Sequence, residues 1–276
     1  MTLLDRFLEP VVVRGLVQVA AASALAAVVL GLSYLRSLDL ESELGWAFVR
    51  GFVQVIAMGA FIGVLFSVPL AWSGGVLLAM MAIAAWISKD RGGGVPGVLR
   101  VSFVAVLFGS GLVIVAMLAA GAIDATVRNL IPVGGMIIAN AMKTNSLALD
   151  RFKGEVRSNR AEIEAVLALG VPPEKVISEY VTTSVRASLI PMVDSLKSLG
   201  LVYIPGMMSG MILAGANPIY AAEYQFVIMG MLFAAGGLTS MASTLLVGKY
   251  AFTEAEQLKP FEEPTDGGIR TLLNRG

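Results

Sequence analysis

Few side chains in this 276-residue chain can do chemistry, and several of those that can sit inside long apolar runs. Arg50 and Gln54 stand four residues apart in one run. Asn140, Lys143 and Thr144 share a helical face in another through their i, i+3, i+4 spacing, and Asp194 and Lys197 stand three apart in a third. Polar and ionisable groups at membrane depth are costly, so each is a candidate for lining a substrate path. Snorkelling, a fixing ion pair or an interhelical hydrogen bond is the structural reading of the same residues. Met207 and Met208, with Met211, Met136 and Met142, offer thioethers suited to a soft metal ion, although methionine more commonly fills irregular gaps. For a hard cation the available donors are the oxygens of Asn140, Thr144, Asp194 and backbone carbonyls. Pro205-Gly206 must interrupt or bend its helix, because proline lacks a backbone donor and crowds the preceding turn. Broken helices of this kind accompany watery cavities in transporters, while Gly206 and Gly210 read equally well as a G-x-x-x-G packing face. With no Cys and no His, disulfides, thiolate or imidazole metal sites and Ser-His-Asp catalysis are excluded, and no catalytic residue is expected.

The elements that must position these residues follow from composition. Hydrophobic residues make up 57% of the chain and charged residues 14%, far from the balance of a soluble domain. Apolar runs of roughly 18 to 25 residues recur along its length, enough to cross a bilayer as helices. The expectation is an all-α, polytopic membrane protein with about seven transmembrane helices, near residues 11–35, 46–66, 69–88, 98–122, 129–149, 188–214 and 224–249. A signal sequence over Leu3–Leu35 is the weaker reading of the first run, whose core is longer than a usual h-region. Residues 1–250 form one transmembrane domain in this reading, and 251–276 form a polar tail that reads as poorly ordered from Thr253.

Orientation follows from basic loops. Lys89, Arg91 and Arg100 follow the third helix, and Arg151, Lys153, Arg157, Arg160, Lys175 and Arg186 crowd the interval after the fifth. Both belong in the cytoplasm by the positive-inside rule, which puts the C-terminus inside and the N-terminus outside, against the presence of Arg6 and Arg14 before the first helix. The expected location is the plasma membrane of a bacterial cell, the inner membrane. A net charge of zero makes no case for a nucleic-acid partner.

Residues 150–187 are too polar for lipid. Ile163, Val166, Leu167 and Leu169 recur at helical spacing, Gly170 and Pro172-Pro173 end that helix, and a second begins at Pro173 with Val176, Ile177 and Tyr180 as apolar positions. The expectation is a helical hairpin on the cytoplasmic face, with simple adsorption to the bilayer as the plainer reading. Within it, Glu164, Ala165 and Gly170 make up Glu-Ala-x-x-x-x-Gly, which resembles the EAA loop of ABC-transporter permeases. The nearest counterpart of that family's downstream Ile-x-Leu-Pro is Leu189-Ile190-Pro191. The resemblance implies coupling to a cytoplasmic ATPase subunit. No G-x-x-x-x-G-K-[ST] loop occurs, so the chain is expected to bind no cofactor of its own, with ATP and Mg carried by the partner.

Longer runs carry a sharper likeness. Arg50-Gly-Phe-Val-Gln54, Gly135-Met-Ile-Ile-Ala-Asn140-Ala-Met142, the stretch Ser184 to Lys197, and Leu201-Val-Tyr-Ile-Pro205-Gly-Met-Met-Ser-Gly210 closely resemble the FetB family, bacterial permeases associated with iron export with plant relatives associated with aluminium tolerance. The likeness covers roughly residues 45–250. It implies a permease homodimer with two ATPase subunits and metal-ion efflux. The residues alone leave open a permease for a small organic solute, an ion-coupled secondary transporter, which would need deep carboxylates or histidines, and a membrane scaffold that moves nothing.

Overall fold

The computed structural model describes residues 10–36, 41–67, 69–94, 97–253 and 255–259. Nine helices occur among them: α1 (Pro10–Leu35), α2 (Glu41–Leu65), α3 (Leu70–Lys89), α4 (Val98–Ala119), α5 (Val127–Ser158), α6 (Arg160–Ala168), α7 (Pro173–Ser198), α8 (Gly206–Leu213) and α9 (Pro218–Tyr250). No strand occurs among the described residues, only two isolated bridges. An all-helical chain is what lipid demands, because a helix satisfies its backbone polar groups within one segment. Five of the helices, α1, α2, α3, α4 and α9, are long and apolar enough to cross a membrane. The chain is an all-α, multi-pass membrane protein.

Two of the seven expected spans take a different form. The run at 129–149 lies within α5, a 32-residue helix that continues to Ser158, so the start of the polar interval is a helical extension and not a loop. At about 1.5 Å per residue α5 is about 48 Å long, more than a hydrocarbon core requires. The run at 188–214 is not one helix. α7 stops at Ser198, whose carbonyl accepts from the N–H groups of Leu201, Val202 and Tyr203. Gly200 takes the left-handed φ of +76° at this turn, and buried Pro205 leads into α8 in extended conformation. Leu201, Val202 and Ile204 are exposed there. A hydropathy window merges the two helices because the break is itself apolar.

The chain divides into two compact units, Met1–Ser67 and Val68–Gly276. In the first, α1 lies against α2 with Leu30 beside Gly45, and a groove of about 330 Å³ runs between Ser23, Ala26 and Ala27 on one side and Phe48 and Phe52 on the other. Most of its apolar side chains face outward, as lipid-facing residues do.

In the second unit α9 packs against α4, α5, α7 and α8. One core cluster joins Leu77 and Met81 of α3, Val106 and Ile114 of α4, Ile137 and Ala141 of α5, and Ile228 and Ala235 of α9. Small residues allow the closeness. A Cβ on Gly109 would collide with Thr239 Oγ1 and lie 2.7 Å from the Thr239 backbone nitrogen. A second cluster holds the polar interval: Phe152 and Val156 of α5, Ile163 of α6, Ile177 of α7, and Val247 and Ala251 at the end of α9. Phe252 and Leu258 join it through a tight antiparallel turn in which Thr253 N–H donates to Gln257 O and Lys259 N–H donates to Ala251 O. The poorly ordered end expected from Thr253 is therefore a packed turn at the described positions as far as Lys259, because Phe252 and Leu258 supply apolar area. Residues 260–276 of that tail lie outside the described residues.

Candidate functional site

The polar interval forms a helical hairpin built from the end of α5, α6 and the start of α7. Ile163 is fully buried against Phe152, Val156 and Ile177, which fixes α6 to the bundle by one face. Its other face carries Glu164 and Ala165, both exposed. Glu164 Oε1 accepts from Arg160 Nε at 2.7 Å, one turn earlier. The helix ends through hydrogen bonds from Leu169 N–H to Val166 O and from Gly170 N–H to Leu167 O. Gly170 adopts φ +81°, a left-handed conformation that glycine takes without a steric penalty. A Cβ there would meet nothing within 4 Å, so the glycine is required by backbone conformation and not by crowding. Beside it Leu169 is 82% exposed, a large apolar side chain at the tip of the hairpin. Pro173 then starts α7 at the first helical position, where its missing N–H is no loss. On the inner side, burial and then the carboxylates of Glu162, Glu179 and Glu155 raise the Tyr180 phenol above its usual range, so it stays protonated.

Two recesses flank this hairpin. One of about 820 Å³ lies between the start of α7 (Pro173, Glu174, Ile177) and the end of α9 (Gly248, Lys249) with Phe252 just beyond it, and another of about 520 Å³ lies between α6 and residues 255–258. Gly248 sits where a Cβ would be 2.5 Å from Ile177 Cδ1, so α7 and α9 meet closely at the root of the hairpin.

The polar candidates in the helices are distributed. Arg50 and Gln54 are exposed on α2, in the first unit. In the second, Asn140 Nδ2 donates to the backbone carbonyl of Leu232 at 2.8 Å, tying α5 to α9. Thr144 is buried and donates to Asn140 O at 2.9 Å, and Lys143 is exposed on the same helix. Asp194 and Lys197 are exposed on α7 and form no ion pair with each other. They share a groove of about 390 Å³ with Arg186, Leu189, Ile190, Val193 and Phe233. Met207 packs on the same core as Met142, the arrangement of gap-filling side chains, while Met208 is half-buried. Gly206 and Gly210 face open space within this chain. No group of three or more His, Cys, Asp or Glu able to hold a metal ion occurs among the described residues.

One polar cluster escaped the sequence reading. Asn145, fully buried, donates to Ser88 Oγ of α3 at 3.0 Å and to Ser102 Oγ of α4 at 3.1 Å, joining three helices. Its Oδ1 has no hydrogen-bond partner among the described residues. The signal was there: Asn145 lies seven residues after Ile138 and seven before Phe152, on the buried stripe of α5.

Comparison with known proteins agrees with this architecture. The model of the uncharacterised protein family UPF0014 matches residues 16–252. The "UPF0014 membrane protein STAR2" of Oryza sativa subsp. japonica is 32% identical over 245 residues, 88% of this chain and 86% of that protein. "Protein ALUMINUM SENSITIVE 3" of Arabidopsis thaliana is 31% identical over 252 residues, 90% of this chain and 92% of that one. The "Probable iron export permease protein FetB" of Escherichia coli (strain K12) is 33% identical over 242 residues, 87% and 93% of the two chains. No solved structure matches the chain.

Proposed function

The chain belongs to the UPF0014 family of membrane proteins, and from that premise we propose that it is the membrane-spanning permease subunit of an ABC exporter. A separate cytoplasmic ATPase supplies the energy, binding ATP and Mg on its own residues. The cargo is iron or another metal ion, in line with the name of the Escherichia coli relative, and it leaves the cytoplasm. The working assembly is two permeases with two ATPases in the plasma membrane, multi-pass, with the C-terminus cytoplasmic.

One observation carries the reading. α6 is fixed to the bundle by Ile163 while Glu164, Ala165, Leu169 and Gly170 face outward at the tip of the hairpin. A short helix anchored on one face and free on the other transmits movement of a soluble motor into the helices it roots on, here α5 and α7. The family-matched Glu164, Ala165 and Gly170 all fall on that outward face or at its stop. The phosphate-cradling G-x-x-x-x-G-K-[ST] motif is missing from the sequence, which supports placing ATP hydrolysis on a separate subunit.

The test is reconstitution with the cognate ATPase in proteoliposomes. ATP-dependent movement of iron that stops when the ATPase site is disabled supports the proposal. Full pumping by the purified permease alone, or residues 150–187 labelled from outside the cell, would end it.

A further inference from the structure

α5 and α7 are the two long helices that are not apolar enough to qualify as spans by composition, and they pack against each other. Their polar residues are not all turned inward. α7 buries the stripe Ile177, Ser184, Ser188, Met192 and presents Arg186, Asp194 and Lys197 on its open side. Counting along the helix at about 1.5 Å per residue, Arg186 lies about 20 Å and Lys197 about 36 Å from Pro173, so the charged face runs from the end of the polar interval to the far end of α7. A charged face of that reach is costly against hydrocarbon, and a watery space is the setting that suits it.

The sign of that face is informative. Between Ile131 and Ala148 of α5 and between Thr183 and Ser198 of α7, the ionisable side chains are Lys143, Arg186, Asp194 and Lys197, three basic and one acidic. Arg186, Asp194 and Lys197 line one groove of about 390 Å³ with apolar walls from Leu189, Ile190, Val193 and Phe233. Neither groove cation has an acidic partner among the described residues. A free divalent cation would face net positive charge and a single carboxylate, far from the set of oxygen donors that it needs to replace its water. An anion finds two unpaired cationic heads and an apolar floor.

We propose that the α7 groove is an anion-binding station on the transport path, and that the cargo is recognised there through carboxylate oxygens, either as a free organic acid or as a metal ion enclosed in an anionic chelate. This rests on the transporter reading above and narrows its substrate class: the chelate keeps the metal ion as cargo, whereas the free acid would replace it. Arg186 and Lys197 supply the attraction, and Asp194 sets where along the groove the anion stops.

Binding to the purified, full-length permease in nanodiscs tests the idea without the ATPase, using three probes: citrate, ferric citrate, and Fe(II) kept reduced with no chelator. Citrate or ferric citrate should bind, with the affinity lowered about tenfold or more by Arg186→Gln and by Lys197→Gln and raised by Asp194→Asn, which removes the one carboxylate that repels the anion. Preference between the two carboxylate probes identifies the free acid or the chelate as the ligand. Binding of Fe(II) alone that is lost in Asp194→Asn would overturn the proposal, and so would failure of both carboxylate probes to bind. Because all three side chains are exposed, the variants should keep the thermal unfolding of the parent. The transporter reading is judged separately, by co-purification with the ATPase, so its failure is not mistaken for failure of the groove.

Discussion

The side-chain amide of Asn140 donates to the backbone carbonyl of Leu232 at 2.8 Å, and this bond joins α5 to α9 across a contact where glycine at 236 leaves no room for a side chain. Asn140 is thus a tie between two helices before it is anything else. Asn140→Ala should lower stability by about 1 kcal/mol, the usual net worth of such a bond. Thermal unfolding in detergent measures this. Export that falls in proportion to folded protein makes the residue structural; export lost from fully folded protein would give it a place on the path as well.

Asn145 should matter more to folding than Asn140. Asn145→Ala takes from the buried Ser102 hydroxyl its partner, at a cost of about 1 to 3 kcal/mol, while Ser88 loses one bond and keeps its own to the Ala85 carbonyl. The expected outcome is a clear drop in unfolding temperature and in yield. An unchanged unfolding temperature would mean that the three helices are held by apolar packing alone.

Gly109→Ala should be among the most damaging one-carbon changes in the chain. The added Cβ meets Thr239 Oγ1, and the Ala235 carbonyl oxygen lies 2.9 Å away, so backbone must move and not merely a rotamer. Overpacking of this kind costs about 1 to 3 kcal/mol. Pairing it with Thr239→Ser would still leave the backbone clash and should not restore stability in the same assay.

Gly170→Val separates coupling from folding. The left-handed φ of +81° penalises a β-branched side chain by about 1 to 2 kcal/mol, yet a Cβ at the position would meet nothing within 4 Å. The protein should insert and fold while co-purifying poorly with its ATPase. Retained association and wild-type export would count heavily against α6 as the coupling element.

Glu164→Ala should leave stability within about 0.5 kcal/mol of the parent, since the ion pair with Arg160 is a half-exposed i, i+4 pair. Any loss of ATP-driven transport in that variant is then a docking effect. Comparing unfolding with ATPase stimulation in the same preparation distinguishes the two.

Much of this protein was legible in single segments of sequence. That the solvent is lipid, that the elements are helices, that a polar hairpin breaks at Gly170 and Pro172-Pro173, and that no ATP-binding loop is present are all consequences of composition and of local backbone chemistry, which need no distant neighbour. The tertiary structure decided the rest. A hydropathy average could not see the break at 199–205, because Leu199, Leu201, Val202 and Ile204 are as apolar as the helices they separate, nor that α5 runs on to Ser158 because Phe152 and Val156 find Ile163 and Ile177 to pack against. Whether Asn140 ties helices and Asn145 knots three of them depends on which residues the fold places opposite. Spacing along one helix assigns a side chain to a face, and only the packing of other helices determines whether that face meets a carbonyl, a hydroxyl or a groove.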